Sequence, residues 1–276
     1  MTKFAHPIVG GSFTSPVKPG SSWPDDLATS NTPVAKSAAQ AKKIATAAKS
    51  LTDLTAAISV CQACPRLVSW RTDVAITKRK SFEDQPYWGR PAAGFGDLNP
   101  QLLVVGLAPA ANGANRTGRI FTGDRSGDWL YRAMHKAGFA NQPTSEHAGD
   151  GLTLKNARVI AAVRCAPPGN KPTPDERDCC SNWFAAELKL LPEVKVIIAL
   201  GGFAWDQTIS MLTQLNFVGE KQKFGHGASI EFSNQARSVL LLGSYHVSQQ
   251  NTFTGRLTEA MLDEIFNRAN QRINSR

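Results

Sequence analysis

Two loops of this 276-residue chain each contain an ionisable side chain and follow a segment that could hold it in place. Residues 104–125, VVGLAPAANGANRTGRIFTGDR, begin as an apolar strand and continue as a long loop that holds Phe121 and Asp124. Residues 243–256, GSYHVSQQNTFTGR, place His246 at the start of a second polar loop. A carboxylate and an imidazole can exchange protons with a bound ligand or hydrogen-bond to it. The two loops are therefore the first candidates for a functional site.

Four continuous apolar runs, rich in Leu and β-branched residues, are typical of strands buried on both faces of a sheet. They are Leu102–Gly106, Val159–Val163, Val194–Leu200 and Val239–Leu242. The first run leads into the loop with Phe121 and Asp124, and the last leads into the loop with His246. Because ligands bind at the carboxyl ends of parallel strands, we expect the two loops to converge at one edge of the sheet.

Helical segments alternate with these runs. They are predicted over Asp128–Ala137, Pro174–Leu190, Phe203–Leu215 and Leu257–Ile273, with one or two more between Val34 and Val60. Ser126 and Thr173 are the expected N-caps of the first two. The alternation predicts an α/β fold, a three-layer sandwich in which helices flank a central, four-stranded, mainly parallel sheet.

The amino-terminal segment differs in composition from the rest. Residues 1–33 are rich in Pro, Gly, Ser and Thr, which indicates a mobile arm or a loosely wrapped extension. Residues 34–276 are expected to form a single domain. No apolar run approaches the length of a spanning helix, and the amino terminus lacks the profile of a secretory signal. We expect a cytoplasmic protein without membrane contact, and a monomer as the default.

Five cysteines are too few and too unevenly placed for a disulfide framework, so metal binding or catalysis is the better interpretation. Cys61 and Cys64 form a C-x2-C pair, and Cys165 and Cys180 form a C-x14-C pair. Four thiolates from two separated places suit zinc or a [4Fe–4S] cluster equally on spacing alone. Cys179 is adjacent to Cys180, and only one of this pair is needed.

The net charge of +9 favours an acidic partner, of which nucleic acid is the commonest. The basic run that includes Arg66 and Arg71 is either a solvated face or, beside a nucleic-acid site, a source of phosphate contacts. A zinc-binding, non-catalytic nucleic-acid module would also explain the charge and the cysteines. A nucleotide hydrolase is disfavoured, because the chain lacks the G-x-x-x-x-G-K-[ST] loop.

Three stretches together resemble family 5, the type B enzymes, in the iron–sulfur branch of the uracil-DNA glycosylase superfamily. GLAPAANGANRTGRIFTGD resembles the family's first motif, SYHVSQQNT its carboxy-terminal motif, and CQACPRL with VRCAPPGNKPTP its cluster-binding segments. The likeness covers roughly residues 55–270. It implies a DNA-repair hydrolase whose partner is DNA containing uracil or other deaminated bases. Such an enzyme flips the base out and hydrolyses the N-glycosidic bond, leaving an abasic site.

The resemblance also implies a structural [4Fe–4S] cluster, bound by Cys61, Cys64, Cys165 and Cys180. The chain departs from the pattern at two positions. Many relatives carry His where this chain has Asn112, and the wider superfamily often has a uracil-reading Asn at about the place of Ala161. A missing amide implies weaker discrimination for uracil and a broad range of damaged bases.

Glycosidic cleavage develops positive charge on the sugar and negative charge on the departing base. In the implied mechanism Phe121 stacks on the flipped base, Asp124 orients water and stabilises the sugar cation, and His246 donates a hydrogen bond to the base oxygen. Candidates for further contacts with the base are Gly106, Leu107, Ala108 and Asn170. Candidates for DNA contacts are Arg116, Arg119, Ser248, Gln249, Gln250, Asn251 and Arg256.

Overall fold

The computed structural model describes residues 2–275. Its strands, in chain order, are β1 (Lys3–Ala5), β2 (Ser12–Thr14), β3 (Phe95–Gly96), β4 (Leu102–Gly106), β5 (Ala157–Ala161), β6 (Val196–Leu200), β7 (Ser229–Ser233) and β8 (Ser238–Ser244). Its α-helices are α1 (Ala38–Ala47), α2 (Leu51–Ser59), α3 (Pro65–Thr77), α4 (Ala114–Thr117), α5 (Arg125–Lys136), α6 (Pro174–Lys189), α7 (Gly202–Gln214), α8 (Gln249–Thr252) and α9 (Glu259–Asn274). Among these residues, none of the helices is long and apolar enough to cross a bilayer.

The central sheet has six strands, in the order β3-β5-β4-β6-β8-β7. The four predicted strands form its parallel centre, and β3 and β7 pair antiparallel at the two edges. The α/β class and the mainly parallel sheet are confirmed, but the count of four strands is wrong. The edges were missed because β3 has two residues, and β7 alternates buried with exposed residues instead of forming a continuous apolar run.

Helices cover both faces of the sheet. The core on one face includes residues of α1, α2, α6 and α7, and the core on the other includes residues of α5 and α9. Thr173 caps α6 as predicted, within a capping box that it shares with Glu176.

The parallel register decides where the two candidate loops leave the sheet. Gly106, the last residue of β4, lies opposite Ala161, the last residue of β5. In the same way, Ser244 at the end of β8 lies opposite Leu200 at the end of β6. Because all four strands run in the same direction, the loops after β4 and β8 begin at the same edge.

The amino-terminal segment packs against the loop that follows β4. Phe13, Val17 and Trp23 are buried in a small cluster with Trp88 and Ala148. The indole Nε1 of Trp23 donates to the carbonyl oxygen of Thr117 at 3.3 Å. A second anchor is the buried ion pair between Asp26 and Arg90, with an N–O distance of 2.7 Å.

Two buried histidines in this contact should make the protein sensitive to acid. The rings of His6 and His147 lie 4.3 Å apart between centroids. Burial lowers both pKa values, that of His147 to about 3, whereas an unfolded histidine titrates near its ordinary 6.5. The unfolded chain therefore binds protons more readily, and the free energy of unfolding falls as the pH drops from 6.5 towards 3. His147 contributes about 1.4 kcal/mol per pH unit over this range, and His6 adds to the fall in the same direction.

Urea denaturation between pH 7 and pH 4.5 measures this slope. We expect His147→Leu to remove about 1.4 kcal/mol per pH unit from it below pH 6. The matched control is His135→Leu, at an exposed histidine on α5, which should leave the slope unchanged. An identical slope in the parent and in His147→Leu would contradict the prediction.

Candidate active site

A cavity of about 390 Å³ lies at the carboxyl edge of the sheet, between the loop after β4 and the loop after β8. It brings together the aromatic, acidic and imidazole side chains that the sequence singled out. Its lining residues are Leu107, Ala108, Pro109, Ala110, Ile120, Phe121, Asp124, Ser126, Gly169, Asn170, His246, Ser248 and Gln250. These residues come from three loops that are far apart in the chain.

Phe121 forms one apolar wall of this cavity. Its ring centroid lies 6.0 Å from that of His246, with the two planes tilted by 39°. Its φ angle of +51° lies in the left-handed region, which few residues other than glycine adopt. Gly106 leaves space for the ring, since a Cβ there would lie 2.5 Å from Phe121 Cζ. Gly106 therefore shapes the cavity without lining it.

Asp124 is positioned by serving as the N-cap of α5. Its Oδ1 accepts hydrogen bonds from the backbone N–H groups of Ser126 at 2.9 Å and Gly127 at 3.1 Å. The prediction that Ser126 caps this helix is wrong, because the helix begins at Arg125, earlier than the apolar pattern indicates. Burial raises the pKa of Asp124 above its ordinary value, and the two N–H groups oppose that shift. Within residues 2–275 its Oδ2 makes no hydrogen bond.

Gly113 packs directly against this carboxylate, which gives a test of its placement. A Cβ at position 113 would overlap Asp124 Oδ2. We expect Gly113→Ala to displace the carboxyl group and to lower turnover by about 10²-fold, the typical cost of an error of about 1 Å in the position of a catalytic group.

The matched control for this substitution is Gly225→Ala, whose added Cβ would meet Ala228 Cβ at an ordinary 3.9 Å. It should keep parental turnover. Single-turnover rates of all three proteins make the comparison. Parental rates for Gly113→Ala would show that the carboxylate position does not matter.

His246 follows β8 and faces the cavity from the side opposite the loop after β4. Its backbone carbonyl accepts a hydrogen bond from Asn251 Nδ2 at 2.8 Å, which fixes the start of the second loop. Within the described residues the imidazole makes no hydrogen bond of its own, so it is available to a ligand. Burial lowers its pKa to about 4, and the ring is therefore neutral at pH 7.

Three of the four further predicted base contacts line the cavity, namely Leu107, Ala108 and Asn170, whereas Gly106 does not. Asn170 has a left-handed φ of +56° in the short helical turn Pro168–Asn170. The two positions that depart from the family pattern lie outside the lining. Ala161 is buried in β5, and the side-chain oxygen of Asn112 accepts a hydrogen bond from Tyr87 Oη at 2.9 Å.

Arg116 and Arg119 were predicted to contact phosphate, but both are buried. Arg116 donates to the carbonyl oxygen of Gly123, to Asn112 O and to Gln85 Oε1 at 2.9–3.0 Å. Arg119 pairs with Asp150 at 2.6 Å. Partners from other parts of the chain turn both guanidinium groups inward, where they hold the loop that carries Phe121 and Asp124. The structure therefore corrects the phosphate assignment for both arginines.

The other predicted DNA contacts surround the mouth of the cavity. Ser248 and Gln250 line it, whereas Gln249 is exposed on the outside of α8. Asn251 and Arg256 line a neighbouring cavity of about 290 Å³, which His246 also borders. Arg256 is exposed, with its guanidinium carbon 4.6 Å from the ring centroid of Tyr245.

The five cysteines lie close together, four of them buried and Cys64 partly exposed. Cys180 lies near Cys61, Cys64 and Cys165, and Cys179 lies near Cys64. All five are free thiols. Burial raises the pKa of Cys61 to about 11 and also raises that of Cys165. Within the described part of the chain, no group of three or more His, Cys, Asp or Glu side chains has the arrangement for a single metal ion.

Sequence reasoning missed several residues of the site. Gly113 went unnoticed although it lies in the first candidate loop, and Ser126 was expected only as a helix cap, whereas it lines the cavity. Phe253 is 67% exposed at the end of α8, and the guanidinium of Arg125 lies 5.8 Å from its ring centroid. An aromatic residue within a polar loop was the available signal for Phe253. Arg71 was assigned to a basic surface run, yet it is buried beside Cys165.

Comparisons with known proteins show the family of this chain. The sequence model of the Uracil DNA glycosylase superfamily matches residues 93–270. The chain is 56% identical over 265 residues to a Mycobacterium tuberculosis protein named Type-5 uracil-DNA glycosylase, covering 96% of this chain and 97% of that protein.

More distant relatives have similar names. A Thermus thermophilus Type-5 uracil-DNA glycosylase is 47% identical over 208 residues, 75% of this chain and 91% of its own. A Thermotoga maritima Type-4 uracil-DNA glycosylase is 26% identical over 148 residues, 53% of this chain and 59% of its own. With the family match and the extent of the Type-5 similarity, the chain belongs to family 5 of the uracil-DNA glycosylase superfamily.

Proposed function

We propose that this protein is a DNA-repair glycosylase that removes uracil and other deaminated bases by hydrolysing the N-glycosidic bond. Family membership supports this function, and one observation carries the assignment of the site. Phe121, Asp124 and His246 share one cavity, in which a flipped base could meet a ring, an acid and a neutral imidazole. Residues 34–276 would form the catalytic domain, with residues 1–33 as an arm attached to it.

The reaction requires the target nucleotide to leave the duplex, since the glycosidic bond cannot be reached inside the stack. The Phe121 ring offers the extruded base a π-surface. Asp124 approaches from the loop after β4, where its unbonded Oδ2 can orient water and stabilise positive charge on the sugar. An ionised carboxylate is required for both tasks.

His246 acts on the leaving base. As the C–N bond breaks, negative charge collects on the base and its carbonyl oxygens. A neutral imidazole N–H donates a hydrogen bond to that developing charge without transferring a proton. The backbone hydrogen bond from Asn251 holds His246 in place for this role.

The loop at residues 248–253 is proposed to face the DNA. Polar side chains at Ser248 and Gln250 border the cavity, and Gln249 and Arg256 extend beyond them. The exposed ring of Phe253 is a candidate to fill the space that the flipped base leaves in the duplex, as apolar side chains do in proteins that unstack base steps. The net charge of +9 favours this contact with phosphates.

One gel separates the catalytic function from simple binding. The protein is incubated with an oligonucleotide that carries a single uracil, and the DNA is then treated with alkali, which cleaves abasic sites. Breakage at the uracil is the expected result. A shift in mobility without breakage would instead identify the non-catalytic, zinc-binding nucleic-acid module.

We propose that the cysteine cluster holds a [4Fe–4S] group through Cys61, Cys64, Cys165 and Cys180. The donor set fits, because four soft thiolates are the ligands that such clusters require. The surroundings fit as well. The buried indole N–H of Trp183 faces Cys61 and lacks a partner within the described residues, and a guanidinium N–H lies 2.7 Å from Cys165 Sγ. When bound, the group supplies a structural crosslink between the segment before α3 and the segment from β5 to α6.

Neighbouring cysteines provide a matched pair of variants to test this assignment. Cys180 lies near three of the other thiols, whereas Cys179 lies near Cys64. We expect Cys180→Ser to abolish the absorbance near 400 nm that iron–thiolate charge transfer produces and Cys179→Ser to retain it. Absorbance and iron analysis make the measurement. A colourless parent protein with stoichiometric zinc would refute the iron–sulfur assignment, and a colourless Cys179→Ser variant would refute the choice of Cys180.

A further inference from the structure

Arg71 is a buried arginine whose charge has no carboxylate beside it. Four of the six buried arginines in residues 2–275 form ion pairs with Asp or Glu, and Arg71 and Arg116 do not. Arg71 is 4% exposed, so water does not solvate its guanidinium. An uncompensated buried charge is costly, so a negative group close to the guanidinium would stabilise it.

The atoms that Arg71 contacts identify that negative charge. Its Nη1 lies 2.7 Å from Cys165 Sγ, and its Nη2 donates to the carbonyl oxygen of Cys61 at 2.9 Å. Both residues belong to the proposed four-cysteine site. A set of four thiolates around a bound metal group carries the negative charge that a guanidinium would neutralise.

The backbone of Arg71 makes a second connection, towards the active-site cavity. Its carbonyl oxygen accepts a hydrogen bond from Nδ2 of Asn115 at 3.2 Å. Asn115 is 1% exposed and lies on α4, two residues after Gly113. Gly113 in turn packs against the Asp124 carboxylate. One helical residue thus contacts the cysteine site with its side chain and the loop of Asp124 with its main chain.

We propose that Arg71 is a positioning residue that ties the four-cysteine site to residues 109–124, the loop that holds Phe121 and Asp124. The inference deepens the proposed function and rests on the proposed metal site. The group bound at the four-cysteine site would order this loop through α3 and Asn115. The two halves of the connection can be broken separately.

The first experiment measures how firmly the metal is held. Purified protein with its native metal is exposed to phenanthroline, which chelates both ferrous iron and zinc, and release is followed over time. We expect Arg71→Met to release metal about 10- to 100-fold faster than the parent, the usual effect of losing a residue that supports metal ligands. Arg71→Lys, which keeps the charge, should be intermediate.

Arg66→Met is the matched control on the same helix. The guanidinium of Arg66 is more exposed and pairs with the carboxylate of Glu176 instead of a sulfur atom. Its release rate should stay within about twofold of the parent, because this guanidinium pairs with a carboxylate and not with a cysteine of the proposed site. Parental release from Arg71→Met would overturn the proposal, and so would equally fast release from both variants.

The second experiment measures order in the loop by amide hydrogen exchange. In the parent, removal of the metal should speed exchange across residues 109–124 by about tenfold, the expected consequence of losing one supporting hydrogen bond. Asn115→Ala should give the same increase while retaining its metal. Asn115→Leu, which preserves the side-chain volume, repeats the test in case the smaller side chain unfolds the protein.

Unchanged exchange in the metal-free parent would overturn the proposed connection. Unchanged exchange in both metal-loaded Asn115 variants would overturn it as well. Neither experiment contains DNA, so a failure here is distinguishable from a failure to excise uracil.

Discussion

Asp124→Asn should excise uracil about 10²–10³-fold more slowly than the parent, because it removes the charge that stabilises the developing sugar cation. Asparagine is as good an N-cap as aspartate, so α5 should keep its first turn and the protein its stability. The substitution therefore separates the chemical role of the carboxylate from its role as a helix cap. Single-turnover excision and binding to uracil-containing DNA are measured together, and affinity should change by no more than a few-fold.

Asp128→Asn is the matched control. Asp128 lies in the first turn of the same helix, 55% exposed, in a loose ion pair with Arg125. The Asp128→Asn variant should excise at the parental rate.

The Asp124 carboxylate must be ionised to act, and burial raises its pKa. The acid limb of kcat/KM against pH should therefore lie above the ordinary carboxyl range and disappear in Asp124→Asn. A slow variant with an unchanged acid limb would contradict this role for Asp124.

His246→Ala should also lower excision by about 10²–10³-fold, the typical cost of losing one donor to a developing anion. Since burial lowers the pKa of His246 to about 4, the ring is already neutral above pH 6. Its contribution should therefore be constant from pH 6 to pH 8. A histidine that acted as a protonated general acid would instead lose its contribution over that range. Rates of the parent and the variant across these pH values distinguish the two roles.

His135→Ala controls for the loss of an imidazole elsewhere. The residue is exposed near the end of α5, outside the cavity lining. It should excise at the parental rate. If His246→Ala retained parental excision at every pH, the imidazole would have no part in the mechanism. DNA affinity is again measured in parallel, because a loss of binding would indicate that the second loop had moved.

Much of the fold could be predicted from local patterns in the sequence. The strand β4 and the other central strands are buried on both faces, so each forms an unbroken apolar run that the sequence shows directly. The edge strand β7 has one exposed face and therefore no such run. Thr173 was identifiable as an N-cap because a proline and two acids follow it. The N-cap of α5 was misassigned because the sequence pattern places Asp124 in the preceding loop.

The site was predictable to a similar extent. Phe121, Asp124 and His246 stood out because they lie in polar, glycine-rich loops directly after predicted strands. The sequence contains no comparable signal for whether an arginine side chain points into the protein or towards solvent. Arg116, Arg119 and Arg71 are surface-like in sequence, and each turns inward because a partner from a distant segment accepts its hydrogen bonds: Gln85, Asp150 and Cys165.

The sequence by itself determined the elements, the cysteine spacing and the residue types that the chemistry needs, since propensity, periodicity and motif spacing are local properties. The tertiary structure decided which of those residues meet. The 6.0 Å separation of the Phe121 and His246 rings follows from the parallel pairing of β4, β6 and β8. Likewise, the burial of Arg71 between the thiols and Asn115 depends on how α3 packs. Contacts between distant segments depend on the sheet register and helix packing of the whole chain, which no single segment encodes.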